Sequence, residues 1–285
     1  MKVSDSQVGA IGPQNRIYCI LGDERVNTSK APAMFSAVIR QHGIKGTYVP
    51  FKVAPENLGH ALQSLPVLNI AGANVTVPYR ERAAPLMDVL SEGAQIIGAI
   101  NTIVRNEGQL KGYNTDAIGL MDALNSVEYD VEGKSALVLG TGGGARAAAF
   151  ILNWLRTKQL FVAGRREKHT QELAERFSAV PLELATLPDQ PLPVDIVVNA
   201  TSVSGADESQ ELTALVSRLE LPQCEFVLDL NYDRPKNIWQ DLARTLGARF
   251  MDGLTPLAYQ ARRTFALWTG LQVPPEDFLS ALEGS

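Results

Sequence analysis

Three sets of residues hold most of the chemistry this sequence offers. The first is the glycine cluster Gly140, Gly142, Gly143 and Gly144, which follows the apolar run from Ala136 to Leu139 and leads into an alanine-rich stretch whose first residue, Ala145, is expected to contact the cofactor with the glycines. Glycines leave no Cβ in the way of a diphosphate, and the first turn of a following helix offers unpaired N–H groups at the positive end of its dipole. The second set is GRREK, Gly164 to Lys168, one strand further on. At that place a carboxylate holds the adenosine ribose of NAD, whereas arginine pairs with the 2′-phosphate of NADP. Arg165 and Arg166 come first and favour NADP, while Glu167 keeps NAD compatible. The third set is polar: Asn74, Thr76 and Arg80, then Asn101 and Thr102, then Asn114, Thr115 and Asp116. Gathered in one place, such groups would grip a small polar ligand.

The elements that must position these sets follow from periodicity. The run Ala136–Leu139, the glycine turn and the helical continuation read as buried strand, tight turn and helix N-terminus, the dinucleotide-binding pattern. Strands expected at 160–164, 182–185, 195–200, 226–230 and 248–253 alternate with helices at 168–177, 211–219 and 238–246, which describes a doubly wound parallel sheet. The loops after its strands single out Arg165, Arg166, Thr201, Tyr232 and Gly253 as lining a ligand crevice. Upstream, strands at 17–22, 47–53 and 69–75 alternate with helices, two of them opened by Pro32 and Pro78, the latter helix expected over 79–90. Ser29 or Ala31 stands at the mouth of the first helix.

Between the two units, NTIVR and QLKGY flank the turn Asn106, Glu107, Gly108 and predict a hairpin. It returns Asn101 and Thr102 to nearly the same place as Asn114, Thr115 and Asp116. A plain structural alternative for Asp116 is to cap the helix expected over 117–124. In the tail, Leu257, Ala261, Phe265 and Trp268 share one helical face, with Gln260 at the edge of the first unit. The expected organisation is therefore α/β with two domains: a substrate-binding βαβ domain over 1–116, completed by 255–285, and a Rossmann-type NADP-binding domain over 117–254. Residues 1–15 read as a polar lead-in.

Composition excludes several other functions. The chain has 285 residues, 45% of them hydrophobic and 20% charged, with a formal net charge of -5. It has no basic tail and no basic stretch interleaved with aromatics, so nucleic acid is not an expected partner. Cys19 and Cys224 are far apart in apolar contexts, and the three histidines form no HExxH or Cys/His cluster, so no metal site is expected. No signal-peptide pattern and no run of 18 apolar residues is present, which leads to the expectation of a cytoplasmic protein without membrane partners. Neither a monomer nor a homodimer is favoured.

Over almost its full length the sequence resembles the shikimate dehydrogenases and their quinate/shikimate dehydrogenase relatives. The resemblance rests on NVTVP (Asn74 to Pro78), GAINT (Gly98 to Thr102), GYNTD (Gly112 to Asp116), the glycine turn, NATS (Asn199 to Ser202) and the QAxxxFxxWTG tail (Gln260 to Gly270), in family order. It implies NADP-linked interconversion of 3-dehydroshikimate and shikimate. It further implies that Ser29 binds the substrate carboxylate, that Asn101 and Asp116 take substrate hydroxyls, and that Thr76 and Gln260 line the same pocket. Asn114 would support this cluster and Gly253 would lie beside the nicotinamide.

Two positions depart from the family pattern. The serine-x-serine-proline motif is here Ser29, Lys30, Ala31, Pro32, so one hydroxyl is missing, and the family's catalytic lysine is Arg80. Reduction of a ketone builds negative charge on oxygen, which the site must stabilise and protonate. A lysine can do both, whereas a guanidinium keeps its proton and serves only the first task. Arg80 would then stabilise an alkoxide while Asp116 or water relays the proton, or it would grip a different polar acid. A non-catalytic NADP-binding protein is the remaining alternative, and the polar constellation of Asn101, Asn114 and Asp116 argues against it.

Overall fold

A computed structural model describes residues 16–283; the lead-in expected over 1–15 lies outside the described residues. In chain order the first half runs β1 (Arg16–Gly22), α1 (Ala31–Gln41), β2 (Gly46–Lys52), α2 (Leu58–Val67), β3 (Ile70–Val75), α3 (Arg80–Ala83), β4 (Val89–Leu90), α4 (Glu92–Ile97), β5 (Thr102–Asn106), β6 (Gln109–Tyr113) and α5 (Asp116–Ser126). The second half runs β7 (Ser135–Leu139), α6 (Gly143–Trp154), β8 (Gln159–Gly164), α7 (Glu167–Phe177), β9 (Val180–Glu183), β10 (Ile196–Asn199), α8 (Gln210–Val216), β11 (Phe226–Asp229), α9 (Ile238–Leu246), β12 (Arg249–Met251), α10 (Leu254–Thr269) and α11 (Pro275–Glu283).

These strands build two six-stranded sheets, one for each domain of the α/β architecture. The first has the order β2-β1-β3-β5-β6-β4, with β2, β1 and β3 parallel and the β5–β6 hairpin antiparallel beside β3. Pro50 lies on its edge strand β2, where the missing N–H costs no inner ladder bond. The second sheet is wholly parallel, in the doubly wound order β12-β11-β10-β7-β8-β9. Its strand β7 is central, and Ala136, Leu137, Val138 and Leu139 are all fully buried, as a strand covered by helices on both faces requires.

The helix expected over 79–90 is much shorter. It stops after one turn at Ala83, a 3-10 turn follows at Ala84–Leu86, and Val89–Leu90 pair with β6 instead. Pro85 has no N–H to give to the carbonyl four residues back, and its ring crowds that position. The other expected elements are present with shifted ends.

The tail returns to the first domain. Trp268 on α10 donates from Nε1 to the Ile103 carbonyl (3.0 Å) and stacks on Tyr18 with ring centroids 4.9 Å apart. It lies so close over β3 that a Cβ at Gly72 would come within 2.3 Å of its indole nitrogen. Helix α11 is held to α1 by Asp277, whose carboxylate meets His42 Nε2 at 2.6 Å and Gln41 Nε2 at 2.9 Å. Further contacts run across the cleft between the sheets, among them the Lys30–Asp233 ion pair at 3.1 Å. Glu81 pairs with Arg146 on α6 at 3.1 Å, and Arg176 on α7 donates to the Ile96 and Gln95 carbonyls at the C-terminal end of α4. Among the described residues no helix is long and apolar enough to cross a membrane, and no group of three metal-ligating side chains is found.

Candidate active site

Two adjoining cavities, of about 440 and 370 Å³, occupy the cleft. The first runs over the C-terminal ends of β7, β8 and β10. Gly140 makes the sharp turn after β7 at φ +112°, and a Cβ there would sit 2.7 Å from the Ala200 carbonyl oxygen, so only glycine fits. Gly142 opens α6, has no side-chain cap, and leaves free space where its Cβ would be, the nearest atom being Glu81 Oε1 at 3.9 Å. With no acidic residue in the first turn of α6, the open N–H groups form a cradle that fits a diphosphate.

Arg165 and Arg166 line the far end of this first cavity. Both are exposed, and among the described residues neither guanidinium has a hydrogen-bond or ion-pair partner. Two free guanidinium forks at the end of β8 suit a phosphate monoester on the adenosine ribose. Leu184, Leu212 and Leu215 supply the apolar wall of the same cavity, between α8 and the loop after β9. Sequence periodicity reads such leucines only as core.

The second cavity lies between the glycine turn and the first sheet. Ser29, Thr76, Arg80, Asn101, Asp116, Gln260, Tyr232 and Gly253 all line it, and Gly142, Gly143 and Thr201 are shared with the first. Ser29 Oγ accepts from the Ala31 N–H (3.2 Å) at the start of α1. Ala31 lines the pocket beside it, with a methyl group where the motif has a hydroxyl. Gly253 packs against the loop after β11, where a Cβ would lie 2.4 Å from the Leu230 carbonyl oxygen. Thr201 is fixed by a 2.7 Å hydrogen bond to Asn199 Oδ1.

The hairpin and α10 together build a buried polar network at the floor of this cavity. Asn101 Nδ2 contacts Asp116 Oδ1 (2.7 Å), Thr115 Oγ1 (3.0 Å) and Gln260 Oε1 (3.2 Å). Thr264 joins Thr102 and Thr115 at 2.8 and 2.9 Å. Buried hydroxyls and amides satisfied in this way hold one geometry. Asp116 does not cap its helix: it is the first helical residue, and the Ala117 N–H is taken by Asn114 Oδ1 (3.2 Å). Its carboxylate is thus released toward Arg80, whose Nη1 lies 3.0 Å from Oδ2. The stem of Arg80 lies along the start of α6, where a Cβ on Gly143 would come within 3.0 Å of Arg80 Cβ and Cδ.

Five residues expected at the site line neither cavity: Thr102 and Thr115 are buried within the polar network, and three others lie elsewhere. Ala145 is fully buried in the core between α6 and the sheet, because the glycines before it, not the alanines, form the cradle. Glu167 is the exposed first residue of α7, where a carboxylate meets the positive helix end. Asn114 is buried and donates to the Ala99 carbonyl (3.1 Å), so it positions Asp116 and does not touch the pocket. Conversely, Arg25, Glu81 and Thr28 line the cleft without having been singled out by sequence. Arg25 and Glu81 reach it from the opposite sheet, a relation no local pattern encodes.

Comparison with known proteins agrees with this geometry. A model of the shikimate dehydrogenase substrate binding domain matches residues 20–103, and one of shikimate / quinate 5-dehydrogenase matches residues 122–252. The NADP(+) shikimate dehydrogenase of Desulforamulus reducens is 37% identical over 266 residues, covering 90% of this chain and 91% of its own. That of Pyrococcus abyssi is 37% identical over 257 residues, with 90% and 93% covered. The crystal structure of shikimate 5-dehydrogenase from Thermus thermophilus, in complex with NADP(H) and shikimate, is 32% identical with a TM-score of 0.82, covering 94% of this chain and 99% of that one. With likeness across both sheets and the cleft between them, the chain belongs to the shikimate dehydrogenase family.

Proposed function

We propose that this protein is an NADP-dependent dehydrogenase that interconverts a cyclic hydroxy acid and its keto acid, of the shikimate and 3-dehydroshikimate type. The carrying observation is the Arg80–Asp116 pair, which sits where the cavity of the glycine turn meets the cavity of the polar network. Residues 117–254 would act as the cofactor domain, and residues 1–116 with 255–285 as the substrate domain. Gly140, Gly142, Gly143 and Gly144 would hold the diphosphate and Arg165 and Arg166 the 2′-phosphate, while Thr201, Tyr232 and Gly253 would border the nicotinamide. The bound nicotinamide supplies or accepts the hydride.

The chain itself must orient the substrate and manage one proton. Ser29 and Thr76 would hold the carboxylate end, and Gln260 and Asn101 the hydroxyl face. Asp116 would accept the proton of the reacting alcohol in oxidation and return it in reduction. The Arg80 guanidinium would stabilise the oxygen while it carries negative charge.

The test is a panel assay on purified protein with NADP+ or NAD+ and shikimate or quinate, following the reduced nicotinamide. Turnover of shikimate with NADP+, and a higher KM for NADP+ but not NAD+ on replacing Arg165 and Arg166 by Gln, is the expected result. A second reading is favoured by Ala31 and Arg80 together: one carboxylate-binding hydroxyl is absent and a permanent cation is present, which suits a different polar acid. Absence of shikimate and quinate turnover, both in the wild type and after Arg80→Lys, would select this second reading.

A further inference from the structure

We propose that Arg25, which comes from the substrate side of the cleft, is a binding residue for the diphosphate of the dinucleotide. The inference rests on the NADP reading above. Arg25 lies in the 3-10 turn Glu24–Thr28 that follows β1, and it lines both cavities. Ser29 and Ala31, at the carboxylate end, line only the second cavity, while Arg165 and Arg166 line only the first. The glycine turn, like Arg25, borders both. Arg25 therefore stands at the junction, across from the part of a dinucleotide that lies between its adenosine phosphate and its reacting ring.

The side chain is prepared for an anion. Arg25 Nε and Nη2 fork onto the Asp23 carboxylate at 2.8 and 2.6 Å, and Asp23 Oδ1 also accepts from the Arg25 N–H at 3.1 Å. Surface pairs of this kind add little to stability. Their larger consequence here is to fix the guanidinium plane. Among the described residues Nη1 makes no hydrogen bond, and the side chain is 48% exposed. On the far side the N-terminus of α6 can satisfy only one face of a diphosphate, which leaves oxygens turned toward the first sheet. Glu81, the carboxylate nearest the turn, is held by Arg146 at 3.1 Å and so does not compete for Arg25. An arginine from the substrate domain on the diphosphate would make cofactor binding favour a closed cleft.

The experiment measures NADPH and NADH dissociation constants by nicotinamide fluorescence for full-length wild type, Arg25→Gln and Arg25→Lys at low and moderate salt, with melting temperatures as a check on folding. Loss of one charge-assisted hydrogen bond should weaken both cofactors about tenfold in Arg25→Gln, with a smaller salt dependence than wild type. Arg25→Lys should recover part of the loss. Weakening of NADPH alone would place Arg25 on the 2′-phosphate, and a raised substrate KM with unchanged cofactor affinity would place it on the substrate. Either result, or no change, overturns the proposal. If the wild type binds neither cofactor, the NADP reading itself fails and this inference with it.

Discussion

Arg80 Nη1 lies 3.0 Å from Asp116 Oδ2, yet that buried oxygen accepts no hydrogen bond. The other oxygen, Oδ1, is held by Asn101 Nδ2 at 2.7 Å. The carboxylate is thus anchored on one side and electrostatically paired on the other.

Arg80→Lys should raise the kcat for shikimate oxidation, by about tenfold if the proton relay is limiting. The ammonium can exchange a proton that the guanidinium keeps. A new limb in the pH profile of kcat should accompany the gain. Arg80→Ala should lower kcat by about 10²-fold through loss of charge stabilisation. Steady-state rates across pH for the three proteins test this, and equal rates in wild type and Arg80→Lys would remove proton transfer from the argument.

Asp116→Asn keeps the shape and the contact with Asn101 while removing the proposed base. Its kcat should fall by about 10²–10⁴-fold, with the NADPH dissociation constant unchanged, since Gly140, Arg165 and Arg166 border the first cavity and Asp116 does not. A parallel loss of cofactor affinity would show that the residue acts through the architecture of the cleft.

Asp252, just before Gly253, has its pKa raised, chiefly by burial and further by Asp229 and Asp233, against the pull of the Leu254 N–H. The folded protein therefore holds this proton more tightly than the unfolded chain. Its contribution is most favourable below the ordinary carboxylate value near 3.9 and declines as pH rises through the raised folded value. Asp252→Asn keeps an acceptor for Leu254, 3.0 Å away. It should raise the melting temperature at pH 7, with the gain vanishing toward about pH 4. A pH-independent difference would assign the effect to packing instead.

Both cysteines should be unreactive in the native protein. Burial pushes the Cys19 thiol up to about 12 and Cys224 to about 11, and neither is exposed. The thiolate is the reactive form. A thiol reagent at pH 8 should label neither residue until denaturant is added, and both afterwards. Fast native labelling would mean that β1 or the start of β11 opens on the time scale of the assay.

What the sequence made legible was local. The strand, glycine turn and helix from Ser135 onward declare themselves within 20 residues, because the turn needs a positive φ at Gly140 and the helix needs small residues against the sheet. The hairpin is equally local, and so is its delivery of Asn101 and Asp116 to one place. Pro85, by contrast, ended a helix that the apolar spacing favoured. Ala145 and Glu167 sit next to the glycine and arginine motifs yet line neither cavity, since one position along a helix turns a side chain by 100°. Arg25 and Glu81 meet the glycine turn across a cleft. Residues more than 50 positions away decide what they face.

The hydrogen bonds that close the floor of the substrate pocket also set a timetable for its assembly. Asn101 meets Gln260 across 159 positions, and Thr102 meets Thr264 across 162. A chain emerging from the ribosome can complete the parallel sheet of the second domain before these partners exist. The hairpin must wait, its polar side chains still in water, until α10 arrives. Truncation near residue 255 should therefore spare the nucleotide-binding half while leaving the chemistry unbuilt. The polar floor of the pocket is complete only once α10 has joined the hairpin.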